Sequence, residues 1–324
     1  MLKTVLRSTV FVLLLVLIYL VWHNRWWLYD EYKLYGYNPP PAIAAIASED
    51  QLTNYSKTLL YVYHPALDNK TDFNNDCKVM PDTTVLGCTI INRGIYLYNI
   101  QDPTLNGIVQ VTTAHEMLHV AYSRLSGKQL QTINRLVIST YNKLAPNNPE
   151  LKSEYDSYLK TEGPGALDNE MHSILGTEIA NLPPALENYY KQYFKNRQLI
   201  VNFTNQYQSV FLARKAAVAS DDQQLSSLKS QIDSLFATLS SELASLKSQQ
   251  SSLNALQANG NYSEYNNQVD AYNSLVNLYN SQIPTYQDLV DSYNTLVAQR
   301  NLIAISENKL SNEINSLSAT APAN

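Results

Sequence analysis

Basic clusters and glycine are scarce in this chain of 324 residues. The formal net charge is −5 at pH 7, and lysine and arginine form no cluster. Proteins that bind nucleic acid neutralise phosphates with basic patches, so the composition argues against a nucleic-acid partner. Only 9 residues are glycine, whereas 24 are tyrosine, and the overall balance is that of a folded protein. The length allows two domains.

Cysteine is nearly absent as well. Cys77 and Cys88 are the only two, and they lack the C-x-x-C spacing of a structural zinc site. They lie on either side of a turn-like segment, Met80-Pro81-Asp82. One pair at this range is typical of a disulfide and therefore of an oxidising compartment, with two unrelated buried thiols as the alternative.

Charge is missing from one segment near the N-terminus. Residues 8–22 hold none, and counted from Thr4, with Arg7 reaching toward the interface, the segment is long enough to span a bilayer. Aromatic residues follow, as expected at a membrane interface: Trp22, Trp26, Trp27, Tyr29, Tyr32 and Tyr35. No small-x-small cleavage site follows directly, which favours an uncleaved anchor over a signal peptide. No cysteine follows either, which excludes a lipoprotein.

Positive residues lie on both sides of this segment, so charge alone orients it poorly. The predicted orientation depends on the cysteine pair, because a disulfide requires an oxidising compartment. We therefore expect the N-terminus in the cytoplasm and the rest of the chain outside the membrane.

Beyond the anchor, consecutive prolines at 39–41 predict a stiff linker. Ile43, Ile46 and Leu52 indicate a short helix. Three β-branched and aromatic segments predict strands: Thr58–Tyr63, Val85–Ile91 and Gly94–Ile100. Helices are predicted at Leu130–Leu144 and Leu151–Leu159, and a further helix that carries Glu170 is predicted with Asp168 as its cap.

Histidine is also rare, and two of the five histidines form the sequence His115-Glu116-Met117-Leu118-His119. At this composition the pattern arises by chance in about 1% of chains or fewer. Residues four apart share one face of a helix, so both imidazoles can bind one ion. Glu116 then lies beside the open coordination position and can take a proton from a zinc-bound water. This arrangement is that of zinc peptidases.

Zinc needs a third protein ligand, and the metzincin pattern Gly-x-x-His is absent after His119. Asn169-Glu170-x-x-Ser173, behind Gly165-Ala166, resembles the third-ligand helix of the thermolysin-like, or gluzincin, metallopeptidases. The resemblance implies that Glu170 completes the site. It covers two short motifs.

Two residues compete with Glu170. Glu178 lies eight positions on, nearly on the same helical face, and His172 is two positions on. The gluzincin aspartate that follows the glutamate by four residues is Ile174 here. The residue that orients His115 is therefore left open.

The C-terminal part contains two seams of apolar residues with coiled-coil spacing on either side of Asn259-Gly260-Asn261. The first seam is rich in leucine and the second alternates tyrosine with valine. Two arms of similar length predict an antiparallel hairpin about 80 Å long at 1.5 Å per residue, with Pro284 kinking the second arm.

The expected fold is α+β: a small zincin-like catalytic domain, an all-α antiparallel coiled-coil hairpin and an N-terminal transmembrane helix. The expected segments are a cytoplasmic tail (1–7), the anchor with its aromatic belt (8–27), a Pro-rich linker (28–41), the metallopeptidase domain (42–195), the hairpin (196–318) and a disordered tail (319–324).

The expected function is that of a membrane-anchored zinc metallopeptidase with a peptide or protein substrate. A protein partner on the coiled coil is a further expectation. One alternative is a coiled-coil scaffolding protein with a degenerate zincin domain. The other is a zinc hydrolase acting on a non-peptide amide, for example in cell-wall material. The intact Glu116 counts against the scaffold, because a purely structural zinc needs no base.

Overall fold

The computed structural model describes residues 2–77, 84–161 and 163–317. The turn expected at Met80-Pro81-Asp82 and the tail from Ser318 lie outside these residues. The elements in chain order are α1 (Leu2–His23), α2 (Arg25–Leu34), α3 (Pro41–Glu49), α4 (Asn54–Tyr61), β1 (Ala66–Asp68), α5 (Lys70–Asp76), β2 (Gly87–Ile90), β3 (Gly94–Tyr98), α6 (Ile108–Ser123), α7 (Gly127–Leu144), α8 (Pro149–Thr161), α9 (Leu167–Thr177), α10 (Pro184–Tyr190), α11 (Arg197–Ala258) and α12 (Tyr262–Ile314). The described chain is mostly helical with one small sheet, which confirms an α+β composition.

The chain divides into two units. The first unit comprises Met1–Val210 and Glu313–Asn324, and the second comprises Phe211–Asn312. The first unit contains the sheet, the His115–His119 motif and the shorter helices, whereas the second consists of the C-terminal part of α11, the turn near Gly260 and nearly all of α12.

The sheet of the first unit has three strands in the order β1-β3-β2. β1 runs parallel to β3, and β2 runs antiparallel to it with Cys88 opposite Tyr96. Ile95 and Leu97 of the central strand are buried. β2 and β3 fall within the predicted segments Val85–Ile91 and Gly94–Ile100, which confirms those two strands.

The prediction of a strand at Thr58–Tyr63 is wrong, because this segment lies mostly in α4. Thr53 caps the helix, and its hydroxyl oxygen accepts a hydrogen bond from the backbone N–H of Ser56 at 3.2 Å. Leu59 and Leu60 are completely buried. The N-terminal cap and the burial of these leucines outweigh the β-propensity of the local composition.

α6 lies at the centre of the first unit and packs against α9, α3, α4 and the sheet. It begins after Gly107, whose φ of +96° is a left-handed conformation that favours glycine. Close packing with α9 depends on Gly176, where a Cβ would lie 2.6 Å from Leu118 Cδ1. This approach brings together the faces of α6 and α9 that carry His115, His119 and Glu170.

The second unit is a pair of antiparallel helices. Arg300 Nε donates to Asp222 at 2.7 Å, and Gln282 Nε2 donates to Glu242 at 2.9 Å. These pairs are placed symmetrically about the turn near Gly260, as in a hairpin. Buried leucines recur every seventh residue on the first arm, at Leu239, Leu246 and Leu253. Pro284 lies inside α12 without ending it.

Near the N-terminus, no single helix among the described residues is both long and apolar enough to cross a membrane. Val10–His23 and Arg25–Leu34 meet that length and composition only as a pair, and they are bent by 65°.

Candidate metal centre

The structure brings His115, His119 and Glu170 together. One nitrogen of each histidine and one oxygen of the glutamate lie within 4.8 Å of one another, so the group can hold a metal ion. α6 supplies the two histidines one turn apart, and α9 supplies the glutamate from its first turn. The four-residue spacing on α6 therefore places His115 and His119 on one face, and the packing of α9 against α6 brings Glu170 to them.

The distances between these groups suit a shared ion. The Nε2 atoms of His115 and His119 lie 3.4 Å from Glu170 Oε2 and Oε1, respectively. This separation is longer than an ordinary N–H···O hydrogen bond. It is close to the distance of about 3.4 Å that separates two ligands of a tetrahedral ion with bonds near 2.1 Å. Two imidazoles and one carboxylate also form a ligand set found in catalytic zinc sites.

The charges of the three ligands complement one another. Burial opposes protonation of His115, but the carboxylates of Glu170, Glu116 and Glu178 outweigh it and raise the pKa of His115 to about 9. Burial by itself would raise the pKa of Glu170, whereas the two imidazoles bring it below 4.5. The pocket thus stabilises positive charge beside Glu170, and a bound cation would replace the proton on His115.

Glu116 lies on α6 between the two histidines and is buried. Its side chain does not belong to the ligand group but turns toward the sheet, where Thr89 Oγ1 donates to Glu116 Oε2 at 2.8 Å. The same hydroxyl lies 3.0 Å from the Glu116 carbonyl oxygen. Thr89 therefore fixes the carboxylate, a role that sequence patterns alone did not reveal.

His119 has a positioning partner on α9. Its Nδ1 lies 3.3 Å from Ser173 Oγ, and Ser173 is completely buried. When Nε2 faces the ion, Nδ1 carries the proton and donates it to this hydroxyl. Ser173 belongs to the motif that suggested Glu170, but its part in orienting His119 becomes visible only in the structure.

His172, one of the rival ligands, lies outside the ligand group. It is completely buried, with Nε2 2.9 Å from the hydroxyl of Tyr189, and its carbonyl oxygen accepts a hydrogen bond from Tyr190 at 2.6 Å. Burial lowers the pKa of His172 to about 3, helped by the neighbouring His119 and His115. His172 is therefore a neutral histidine of α9 whose ring packs against Tyr189 and Tyr190.

Glu178, the other rival, also lies outside the ligand group. It faces Glu154 of α8, and its Oε2 lies 3.5 Å from Gln208 Nε2. Burial and the adjacent carboxyl raise the pKa of Glu154 to about 8, and burial also raises the pKa of Glu178. The two carboxyl groups therefore face each other near His115, and neither belongs to the ligand group.

Tyr158 of α8 places a phenol near the site. α8 packs against α9, the helix that carries Glu170. Burial raises the pKa of Tyr158 well above 10.0, and the carboxylates of Glu170, Glu178 and Glu116 add to the increase. The phenol is therefore protonated and within electrostatic reach of the ligands.

Cys77 and Cys88 form a disulfide, with Cα atoms 6.0 Å apart, which confirms the predicted pair. Cys77 follows α5 and Cys88 lies on β2, next to Thr89. The bond thus tethers the strand whose threonine holds Glu116.

No protein-family model, curated protein or solved structure matches this chain. The functional argument therefore depends on the geometry of the site.

Proposed function

We propose that this protein is a zinc-dependent metallopeptidase of gluzincin type, anchored in a membrane by α1. The observation that carries the proposal is the convergence of His115, His119 and Glu170, with Glu116 held beside them by Thr89. A site that only binds metal for structure has no need of a fixed carboxylate next to its ligands.

His115, His119 and Glu170 would hold the zinc ion, which supplies Lewis-acid activation of a water molecule and of the substrate carbonyl. Glu116 accepts a proton from the attacking water while the oxygen of that water forms a bond to the carbonyl carbon. The C–N bond then breaks, and Glu116 returns the proton to the leaving nitrogen. Tyr158 is the neutral donor that we assign to the negative charge developing on the carbonyl oxygen.

The position of β2 favours a peptide over another amide. Among the described residues β2 is an edge strand, and its Thr89 is bonded to Glu116. An extended peptide can pair with the exposed edge of a sheet through main-chain hydrogen bonds. Such pairing would bring a scissile bond next to the catalytic carboxylate.

Two features support an anchored, extracytoplasmic enzyme. By length alone, the 22 residues of α1 correspond to about 33 Å at 1.5 Å per residue, which is comparable with a hydrocarbon core of about 30 Å. The disulfide between Cys77 and Cys88 is typical of oxidising compartments. The disulfide, which lies on the C-terminal side of α1, agrees with an N-terminus in the cytoplasm.

The test compares metal content with hydrolysis in the purified full-length protein and two variants. Glu116→Gln should retain zinc while hydrolysis of a fluorogenic peptide library falls by about 10²–10⁴-fold, because the base is removed and the ligands are not. Glu170→Ala should lose both zinc and hydrolysis. Glu150→Gln, an exposed change on α8, is the matched control.

Hydrolysis by Glu116→Gln at the wild-type rate would contradict the assigned base. A wild-type protein that binds zinc and hydrolyses no peptide would favour the scaffold with a degenerate site. Hydrolysis restricted to non-peptide amides would favour the cell-wall alternative.

A further inference from the structure

α2 has two different faces. Tyr29, Asp30, Lys33 and Leu34 are partly buried on one side, and Tyr29 and Leu34 pack against the core of the first unit. The opposite side consists of exposed residues at the complementary helical positions: Trp27, Leu28, Glu31 and Tyr32. The helix is thus docked on the protein by one face only.

A buried ion pair attaches α2 to the end of the metal-binding helix. Arg124, the residue after α6, donates to both carboxylate oxygens of Asp30, at 2.8 and 2.6 Å. The Arg124 guanidinium also lies 4.9 Å from the ring of Trp26, and only 5% of the arginine side chain is exposed. A bidentate pair of this kind fixes orientation as well as distance.

A second contact holds the C-terminal end of α2. His64 Nε2 lies 2.8 Å from the carbonyl oxygen of Lys33, and the ring of Tyr37 stacks on His64 with centroids 4.2 Å apart. α2 is therefore held near its middle and at its C-terminal end. Residues 28–34, expected to form part of a linker, belong to this docked helix.

The exposed face has the composition of a membrane-interface helix. Trp27 is 61% exposed and Tyr32 is 79% exposed, and both have an apolar ring with a polar atom. The apolar side chains of α1 from Val10 to Val21 are also about half exposed, and the exposed surface continues through Trp22 into α2. The 65° bend lets one helix enter a bilayer while the next lies along its surface.

We propose that the exposed face of α2 lies in the lipid headgroup–acyl boundary and holds the metal site at a fixed height above the membrane. This inference rests on the anchor in the proposed function. His119 precedes Arg124 by five residues, or about 7.5 Å along the helix axis. The substrates are then polypeptide segments close to the membrane surface.

Tryptophan fluorescence can test this placement, because Trp22, Trp26 and Trp27 are the only tryptophans of the chain. The full-length protein is reconstituted in phosphatidylcholine–phosphatidylglycerol vesicles that contain lipids brominated near the glycerol end or at the middle of the acyl chain. One variant keeps only Trp27 (Trp22→Phe with Trp26→Phe). The matched variant keeps only Trp26 (Trp22→Phe with Trp27→Phe).

We expect Trp27 to lose fluorescence to bromolipids, with a larger loss for bromine near the glycerol end than at the chain centre. Trp26 should lose less, because the Arg124 guanidinium covers its ring. Arg124→Gln in the Trp26-only protein should raise its quenching to the level of Trp27, since α2 is then released. Arg93→Gln, which breaks an exposed ion pair with Asp76, is the control.

Quenching of Trp27 by aqueous acrylamide but not by bromolipid, in protein that floats with the vesicles, would overturn the proposal. Stronger quenching at the chain centre would also overturn it, because α2 would then be inserted. Protein that does not float with the vesicles would contradict both the membrane anchor and this inference. None of these measurements uses hydrolysis, so an inactive enzyme would leave a positive result intact.

Discussion

Individual side chains of α9 have separate tasks at the metal centre. Glu170 faces the two imidazoles, and Ser173, one turn later, faces the Nδ1 atom of His119. His172 lies between them in sequence, but its ring packs against Tyr189 and Tyr190. A single helix thus supplies both a candidate ligand and a hydroxyl that contacts a candidate ligand on the neighbouring helix.

Ser173→Ala should lower zinc affinity about 10-fold, because the imidazole of His119 loses the partner that fixes its orientation. Competition with a chromophoric chelator measures the affinity. Ser123→Ala is the control, because the Ser123 hydroxyl donates a hydrogen bond to the Val120 carbonyl oxygen of its own helix and has no other hydrogen-bond partner within residues 2–77, 84–161 and 163–317. Equal affinities for the two variants would show that Ser173 does not position His119.

Asp50 is a buried acid that the site does not use. It is completely buried, and neither side-chain oxygen has a hydrogen-bond partner among the described residues. Burial raises its pKa well above the ordinary value of 3.8, and Glu49 adds to the increase. The folded protein therefore holds this proton to a higher pH than the unfolded chain, and the contribution of Asp50 to stability falls as pH rises above about 4.

Asp50→Asn should raise the melting temperature at pH 7 and have little effect near pH 4, since the amide has no proton to lose. Circular dichroism melts at the two pH values measure the difference between variant and wild type. Asp270→Asn, an exposed change, should show no such dependence on pH. A lower melting temperature for Asp50→Asn at pH 7 would contradict the assignment.

At the scale of secondary-structure elements, β2 links the sheet to Glu116, the base in the proposed function. The disulfide at Cys88 tethers the strand, and Thr89 bonds to Glu116. The close approach of β2 to α6 depends on Gly87, where a Cβ would lie 2.7 Å from Thr112 Cγ2 and 2.8 Å from Glu116 Cγ. Any side chain at this position must displace Thr112, Glu116 or the strand.

Gly87→Ala should therefore reduce peptide hydrolysis about 10²-fold while zinc remains bound, because the base is moved and the ligands are not. Hydrolysis rates and metal content of the purified variant provide the test. Gly127→Ala is the matched control, since a Cβ there meets nothing within 4 Å. Hydrolysis by Gly87→Ala at the wild-type rate would contradict this prediction, because the added methyl group would then leave Glu116 in place.

At the scale of the whole molecule, the chain joins a unit that carries the metal centre to a helical hairpin. The hairpin pairs a leucine-rich arm with an arm rich in tyrosine, as in the contact of Phe236 with Tyr286, whose ring centroids are 6.3 Å apart. Pairing within one chain has no concentration dependence. We therefore expect the hairpin to be intramolecular in solution.

Spin labels at Ser227 and Thr295 should lie within about 20 Å of each other, because the two residues line one groove between the arms. One continuous helix would place them about 100 Å apart at 1.5 Å per residue. Double electron–electron resonance on the doubly labelled chain, diluted with unlabelled protein, measures the intramolecular distance. A long distance would replace the hairpin with an extended rod.

The sequence by itself determined the features that depend on local spacing. His115 and His119 share a helical face because they are four residues apart, and the regular repeat of Leu239, Leu246 and Leu253 marks a buried seam in the same way. The strands β2 and β3 were also predictable from their composition. The segment at Thr58–Tyr63 was not, since its burial and its N-terminal cap depend on surroundings that composition does not report.

Only the tertiary structure decided which distant side chains meet. Glu170 lies in the first turn of α9 and Glu178 directly follows its last residue, and in the structure Glu170 faces the two histidines whereas Glu178 faces Glu154. The hydrogen bonds from Thr89 to Glu116 and from Arg124 to Asp30 connect residues that are far apart in the chain. Local periodicity carries no information about such pairs, because they depend on how one element packs against another.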